Sequence, residues 1–310
     1  MQQDLYRYVV DEFVEDFQHG EISRRELLRR MALLGGGIVG ATALLSSAGI
    51  AAASQAEWDQ VFASIPEVEP VLRAQQVDPK DPSIDAKSIS FMARGFEHFG
   101  YLAKPVGTAS APGVLVIHEN RGLQPHIEDI ARRLAKAGYV ALAVDLVSKS
   151  GGTKKFTDTA QISSLLAQTN GDEHVTNLLE ALHVLKNYIG VQSQRLGVTG
   201  FCFGGGLTWR LATESKDLLA AVPFYGPAPD LTKVPNIKAA VLGIYGGNDS
   251  RINAGIPALE TALKAANAKY QIKIYEGANH AFNNDTGANY KKDAADDAWR
   301  MTLEWFKTHL

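Results

Sequence analysis

Leu196-Gly197-Val198-Thr199-Gly200-Phe201-Cys202-Phe203-Gly204-Gly205-Gly206 is a short apolar run broken by glycines on either side of one thiol. The run reads as a buried strand, and Leu207-Thr208-Trp209-Arg210-Leu211-Ala212 after it reads as a helix. Gly200-x-Cys202-x-Gly204 is the strand–turn–helix pattern G-x-S-x-G with cysteine in place of serine. Such a turn is too tight for side chains at Gly200 and Gly204. It lifts the Cys202 sulfur to the top of a sheet, against a helix N-terminus whose unpaired N–H groups and dipole favour the thiolate. The alternative is a glycine-rich turn around a buried structural cysteine, since free cysteine is among the most buried residue types.

Working outward, apolar strands are expected over 114–117 and 140–144 before this stretch, and over 220–225, 239–245 and 270–275 after it. Between them come helical patterns over 126–137, near Ile162, over 174–188 and over 256–266. A last helix carries Ala295, Trp299, Thr302, Phe306 and Leu310 on one side. Residues 109–112 read as a loop. Residues 87–93 and 96–104, parted by Arg94-Gly95, read as an antiparallel hairpin at a sheet edge. Continuous apolar strands alternating with helices predict an α/β fold with a mostly parallel sheet covered on both faces. The expected organisation is an N-terminal segment 1–56, a polar lead-in 57–86 that packs on the main domain, and one domain over 87–310.

Hydrophobic content of 45% and charged content of 21% over 310 residues suit a globular protein with a real core. A net charge of −3 without a basic stripe in the body argues against nucleic-acid binding. With one cysteine there is no intramolecular disulfide and no C-x-x-C zinc pattern.

Near the N-terminus, residues 5–17 have helical apolar spacing, followed by Ser23-Arg24-Arg25-Glu26-Leu27-Leu28-Arg29-Arg30 and then an uncharged run from Met31 to Ala56. A basic region, a glycine-diluted apolar region and a small-residue exit at Ala51-Ala52-Ala53 resemble a twin-arginine export signal. This predicts a periplasmic or secreted protein that meets the export machinery, keeps no stable membrane span after cleavage, and begins near Ser54 or Glu57. Two other readings stand beside it. Ser23 and Glu26 also form a capping box on an ordinary helix, and an uncleaved run is long enough to act as a membrane anchor.

In a parallel sheet, chemistry gathers at the carboxyl ends of the strands. Asp249 follows the 239–245 strand and His280 follows the 270–275 strand, so the chain order is nucleophile, acid, histidine, the order of the α/β-hydrolase fold. His280 would take the thiol proton and Asp249 would orient the imidazole. After the 114–117 strand comes His118-Glu119-Asn120-Arg121-Gly122. The backbone N–H of Asn120, with that of Phe203, could hold an oxyanion, and Glu119 would sit near the thiol.

From about Lys87 onward the chain resembles the dienelactone hydrolase (carboxymethylenebutenolidase) family. The resemblance rests on His118-Glu119-x-x-Gly122, Gly200-Phe201-Cys202-Phe203-Gly204-Gly205, Gly247-Asn248-Asp249 and His280-Ala281-Phe282. It implies an α/β-hydrolase fold, a Cys202–His280–Asp249 triad, and a Glu119 that contacts the cysteine and helps control its ionisation. It also implies cofactor-independent and metal-free opening of enol-lactones or small activated esters through an acyl-thiol intermediate. Where the family's dienelactone enzymes carry a substrate-binding arginine four residues after the histidine, this chain has Asn284. Arg121 and Arg251 are the candidates to hold a substrate instead. A broad-specificity carboxylesterase or thioesterase is the alternative within enzymes, and a non-catalytic binding protein is the alternative outside them.

Overall fold

Val140–Val144 is five consecutive buried apolar residues. Such a run suits a strand flanked on both edges and covered on both faces. The computed structural model, which describes residues 2–63 and 76–310, places it inside one eight-stranded sheet. The strands are β1 (Ile84–Ala93), β2 (Phe96–Pro105), β3 (Ala111–Ile117), β4 (Val140–Val144), β5 (Val191–Phe201), β6 (Leu218–Phe224), β7 (Ala240–Gly246) and β8 (Tyr270–Tyr275). Their order is β1-β2-β4-β3-β5-β6-β7-β8. From β3 to β8 every pairing is parallel, while β2 runs antiparallel to both β4 and β1. The β1–β2 hairpin turns at Arg94 and Gly95, both with positive φ (51° and 83°), the backbone that a two-residue turn matched to strand twist requires.

The helices are α1 (Gln2–Gln18), α2 (Arg24–Gly35), α3 (Ile38–Ser47), α4 (Gln55–Ala63), α5 (Pro125–Lys136), α6 (Thr159–Gln168), α7 (Gly171–Lys186), α8 (Phe203–Glu214), α9 (Ser250–Asn253), α10 (Ile256–Ala265) and α11 (Lys292–His309). Helices α5, α7, α8 and α11 pack directly on the sheet. α11 turns Ala295, Ala298, Thr302 and Phe306 inward, with Phe306 filling the space over the side-chain-free Gly197 of β5.

Two local expectations are corrected. Ala111 and Pro112 belong to β3 rather than to a loop, pairing with Val191 and Gln192. The ladder shifts register between Pro112 and Gly113, which is where a strand tolerates a residue without an N–H. Helix α8 begins at Phe203, so the three glycines lie in its first turn rather than before it. Neighbouring backbone from β3 and from the segment after β6 packs against them.

The N-terminal 56 residues share the core with the rest of the chain. Leu5, Val9 and Phe13 of α1 and Leu27, Leu28 and Met31 of α2 are all buried, with α1 and α2 against α6. Ser23 caps α2 by accepting the Glu26 N–H at 3.2 Å, as the capping reading expects. The Glu26 side chain pairs with Arg29 and Arg30 rather than returning to the cap. Further carboxylate contacts are Arg24 with Glu57, Arg29 with Asp158 and Arg30 with Asp16, and Arg24 also donates to the carbonyls of Ala51 and Ala52. Among the described residues no single helix is long and apolar enough to cross a membrane, and the α2–α3 pair that would suffice together is bent by 111°. The expected lead-in 57–86 lies partly outside the described residues. Its end docks on α5, where the backbone N–H groups of Gln76 and Val77 donate to the buried Asp129 carboxylate.

Candidate active site

The turn between β5 and α8 is built by close backbone approach. A side chain on Gly200 would meet Gly204 O at 2.3 Å, and one on Gly204 would meet His118 O and Ile117 O at 2.5 Å. Between them Cys202 takes φ 56° and ψ −118°, a conformation costly for a non-glycine residue and held by its surroundings. Its N–H is tied to Phe224 O at 3.1 Å. The thiol is thereby aimed away from the sheet, at the N-terminal end of α8. The N–H of Phe203, in the first position of that helix, has no carbonyl a turn behind it to bond.

The loops after β7 and β8 are zipped together. Gly247 and Asn248 donate backbone N–H groups to Tyr275 O and Ala278 O, and the Asn248 amide donates to Asn279 Oδ1 at 2.8 Å. This zipper sets Asp249 beside His280. Asp249 Oδ1 accepts the Ile252 N–H and Oδ2 lies 2.6 Å from His280 Nδ1, so Nε2 is left facing the thiol. Cys202, His280 and Asp249 come together as the sequence predicts, although they lie on three separate loops.

The other expected site residues divide. Glu119, Asn120 and Arg121 line the same cavity of about 240 Å³ as Cys202 and His280, Arg121 at its exposed rim. Glu119 is buried. One oxygen accepts Asn284 Nδ2 at 2.8 Å and the other has no partner among the described residues. Asn284, at the position of the family's arginine, therefore holds Glu119. Asn120 O accepts the Ser163 hydroxyl. His118 braces this loop, accepting Leu146 N–H at Nε2 and so donating from Nδ1 to Glu119 O at 2.6 Å. Arg251 does not stand open to a ligand. It pairs with Glu12 at 2.7 Å and Glu15 at 2.9 Å, and its guanidinium sits 4.9 Å over the Tyr8 ring.

Those partners come from α1 and are invisible to sequence reasoning. The Tyr8 hydroxyl lies 3.3 Å from Cys202 Sγ. Glu12 Oε1 accepts from the thiol at 3.4 Å and lies 3.2 Å from His280 Nε2. Tyr225 was also missed, though its place at the carboxyl end of β6, next to the elbow strand, is a usable signal. Its backbone has a positive φ of 36°, its ring packs 5.0 Å from His280, and its hydroxyl is buried without a partner among the described residues.

The thiolate favoured by the helix N-terminus is opposed in this arrangement. Burial, then the adjacent Glu12 carboxylate, push the Cys202 thiol from 9.0 up to about 11, outweighing the help of His280. Burial alone would discharge His280, but Glu12 and then Asp249 hold its imidazolium well above the usual histidine range. Glu12 in turn stays ionised despite burial because His280 and Arg251 are beside it. These directions favour a neutral thiol beside an imidazolium and a carboxylate. Among the described residues Glu12, Cys202 and His280 are the one group of three donors close enough to hold a metal ion, within 4.8 Å of one another. Arg251 already supplies the cation that the Glu12 carboxylate needs.

Known proteins share this fold. The family model described as Dienelactone hydrolase family matches residues 99–310. A Salmonella typhimurium protein provisionally named carboxymethylenebutenolidase is 35% identical over 247 residues, covering 76% of this chain and 92% of that one. A similar protein of Yersinia pestis is 37% identical over 229 residues, covering 70% and 86%. Among solved structures, a provisionally named dienelactone hydrolase from Klebsiella pneumoniae superposes with a TM-score of 0.68 at 32% identity, covering 73% of this chain and 99% of that one. A dienelactone hydrolase-like promiscuous phosphotriesterase from metagenomic libraries gives 0.66 at 25% identity, covering 73% and 99%. The matched residues include every strand from β3 onward and the three loops that carry Cys202, Asp249 and His280, and on that ground the chain belongs to the dienelactone hydrolase family, hydrolases of the α/β-hydrolase fold.

Proposed function

We propose that the protein opens lactones or small activated esters with Cys202 as nucleophile. The observation that carries this reading is the His280 ring, held at Nδ1 by Asp249 and presenting Nε2 to the thiol. Once Nε2 is unprotonated, it takes the thiol proton as sulfur attacks the carbonyl carbon. The oxyanion forms against the N–H groups of Phe203 and Asn120. Collapse breaks the acyl–oxygen bond, and His280 returns the proton to the leaving oxygen, which in a lactone stays tethered. Water, deprotonated by the same ring, then cleaves the thioester. Glu119 is positioned to tune the thiol, and Arg121 to meet an anionic group at the rim. The chemistry uses side chains and backbone alone, without a cofactor.

Residues 1–56 we read as an export signal that directs the protein to the periplasm or beyond, on the order of its basic, uncharged and small-residue segments. The test of the chemistry is mass spectrometry after mixing with a slowly hydrolysed activated ester. Over hours of incubation, acyl adduct is expected to build up slowly on Cys202 of the wild type and to be absent in Cys202→Ala and His280→Ala. Ester hydrolysis that survives Cys202→Ala would remove the nucleophile from the scheme.

A further inference from the structure

Tyr8 and Glu12 stand four residues apart, one turn of α1, and so share one helix face. Both reach Cys202 Sγ, at 3.3 and 3.4 Å. An acyl carbon must come within roughly 3–3.5 Å of the attacking atom, and these two side chains already occupy that shell. Glu12 bridges the whole centre, with one oxygen on the thiol and His280 and the other on Arg251. An adjacent face of α1, one residue round the helix, is an anchor: Val9 and Phe13 are 0% and 1% exposed, and Arg30 lies 5.2 Å over the Phe13 ring. On the cleft side Arg30 binds Asp16 and Glu15 adds a second contact to Arg251. Helix α1 lies outside the family-matched residues 99–310, so it is not part of the framework that carries the three loops. The chain between α3 and α4 has no regular structure, and Ala51, Ala52 and Ser54 are exposed there.

We propose that α1 is a built-in inhibitor, in which Tyr8 and Glu12 fill the substrate's place over Cys202 and keep the full chain latent until α1 leaves the cleft. This rests on the hydrolase reading above. Docking also locks the acid–base chain. With Glu12 as counter-ion, the imidazolium has no free site for the thiol proton, so an approaching ester meets neither a thiolate nor a base. Because α1 and a substrate claim the same atoms, whatever removes α1 or pulls it aside releases the activity, and a ligand in the cleft must weaken α1 docking by the same factor. Severing the chain at the exposed 51–54 segment removes the covalent tether that keeps α1 at high effective concentration.

The test uses the full-length protein and two single variants, Glu12→Ala and Phe13→Ala. The first removes the plug atom, and the second loosens the anchor at Phe13, which does not line the cleft. Iodoacetamide labelling of Cys202, the sole cysteine, is followed by mass spectrometry near pH 7.5, with p-nitrophenyl acetate turnover measured in parallel and near-UV circular dichroism as the check on folding. Labelling is expected to accelerate about tenfold or more in both variants with the near-UV spectrum retained, and turnover to rise with it. Labelling that is unchanged, or that accelerates only where the near-UV signal is lost, overturns the proposal. Faster labelling in folded variants that turn over no ester leaves α1 as the cover of the thiol and removes the hydrolase reading instead.

Discussion

Glu12 Oε1 lies 3.2 Å from His280 Nε2, on the ring edge opposite the one Asp249 holds at 2.6 Å. One imidazole is thus bracketed by two carboxylates from opposite ends of the chain. Asp249 holds Nδ1 as the proposed triad requires. Glu12 stabilises the same cation and so opposes its use as a base.

The pH dependence of α1 docking follows from that bracket and the groups facing it: Tyr8, Glu12, Glu15 and Asp16 from α1, and Glu119, Arg121, Cys202, Asp249, Arg251 and His280 from the body; Asp16, raised to about 6 by burial and then by Glu12, opposes docking as it ionises. His280 has a folded-state pKa raised above its free value. Its contribution is therefore full below about pH 6.5 and lost as pH climbs through the raised value. Glu12 has a depressed pKa, so its contribution is full above about pH 4.5 and lost as pH falls through the depressed value. Hydrogen-exchange protection factors of α1 amides are expected to be highest between these limits and to decline on the alkaline side.

The thiol itself titrates late. With α1 docked, Cys202 ionises near the raised value of about 11, and thiolate absorbance at 240 nm should report it. In Glu12→Ala the loss of the neighbouring carboxylate and of part of the burial should bring the midpoint down by one unit or more, about 1.4 kcal/mol per unit. An unchanged midpoint would mean that Glu12 does not set the thiol's ionisation.

Asp249→Asn keeps the shape of the carboxylate but exchanges an acceptor for a donor opposite His280 Nδ1. The ring then turns its proton toward the thiol. Introduced into the Glu12→Ala protein, the substitution is expected to lower turnover of p-nitrophenyl acetate on the order of 10²–10⁴-fold, with the thermal transition within a few degrees of its Glu12→Ala parent. A loss of folding instead would make Asp249 a structural cap of α9, since its other oxygen holds Ile252 N–H.

Gly204→Ala places a methyl group 2.5 Å from the carbonyl oxygens of Ile117 and His118, both backbone atoms of the adjoining strand end. A destabilisation of about 3 kcal/mol or more is expected in urea unfolding. Gly287→Ala is the control. Its nearest neighbour would be 3.5 Å away, and stability should change by less than about 0.5 kcal/mol.

Tyr225→Phe deletes a buried hydroxyl that has no partner among the described residues. Stability is expected to rise by about 1 kcal/mol, the relief of an unsatisfied polar group, without loss of the ring packing against His280 and Phe282. A fall in stability, read by the same urea titration, would show that the hydroxyl is bonded through water.

The sequence by itself determined the elbow, the sheet and the triad order. Each depends on short-range rules: glycines at 200 and 204 where the backbone folds on itself, uninterrupted apolar strands that must be covered on both faces, and polar residues placed just past strand ends. The strand starts were less legible, as at Ala111, because a proline at a register shift obeys the partner strand more than its own pattern. What only the tertiary structure decided is the state of the site. Glu12 and Cys202 are separated by 190 positions, and nothing local in an acidic amphipathic helix says that one of its carboxylates will be desolvated beside a thiol. The dipole at the start of α8, expected to favour the thiolate, amounts to a partial charge at a helix end. A full carboxylate lodged in the same buried space acts more strongly on the sulfur, and in the opposite direction.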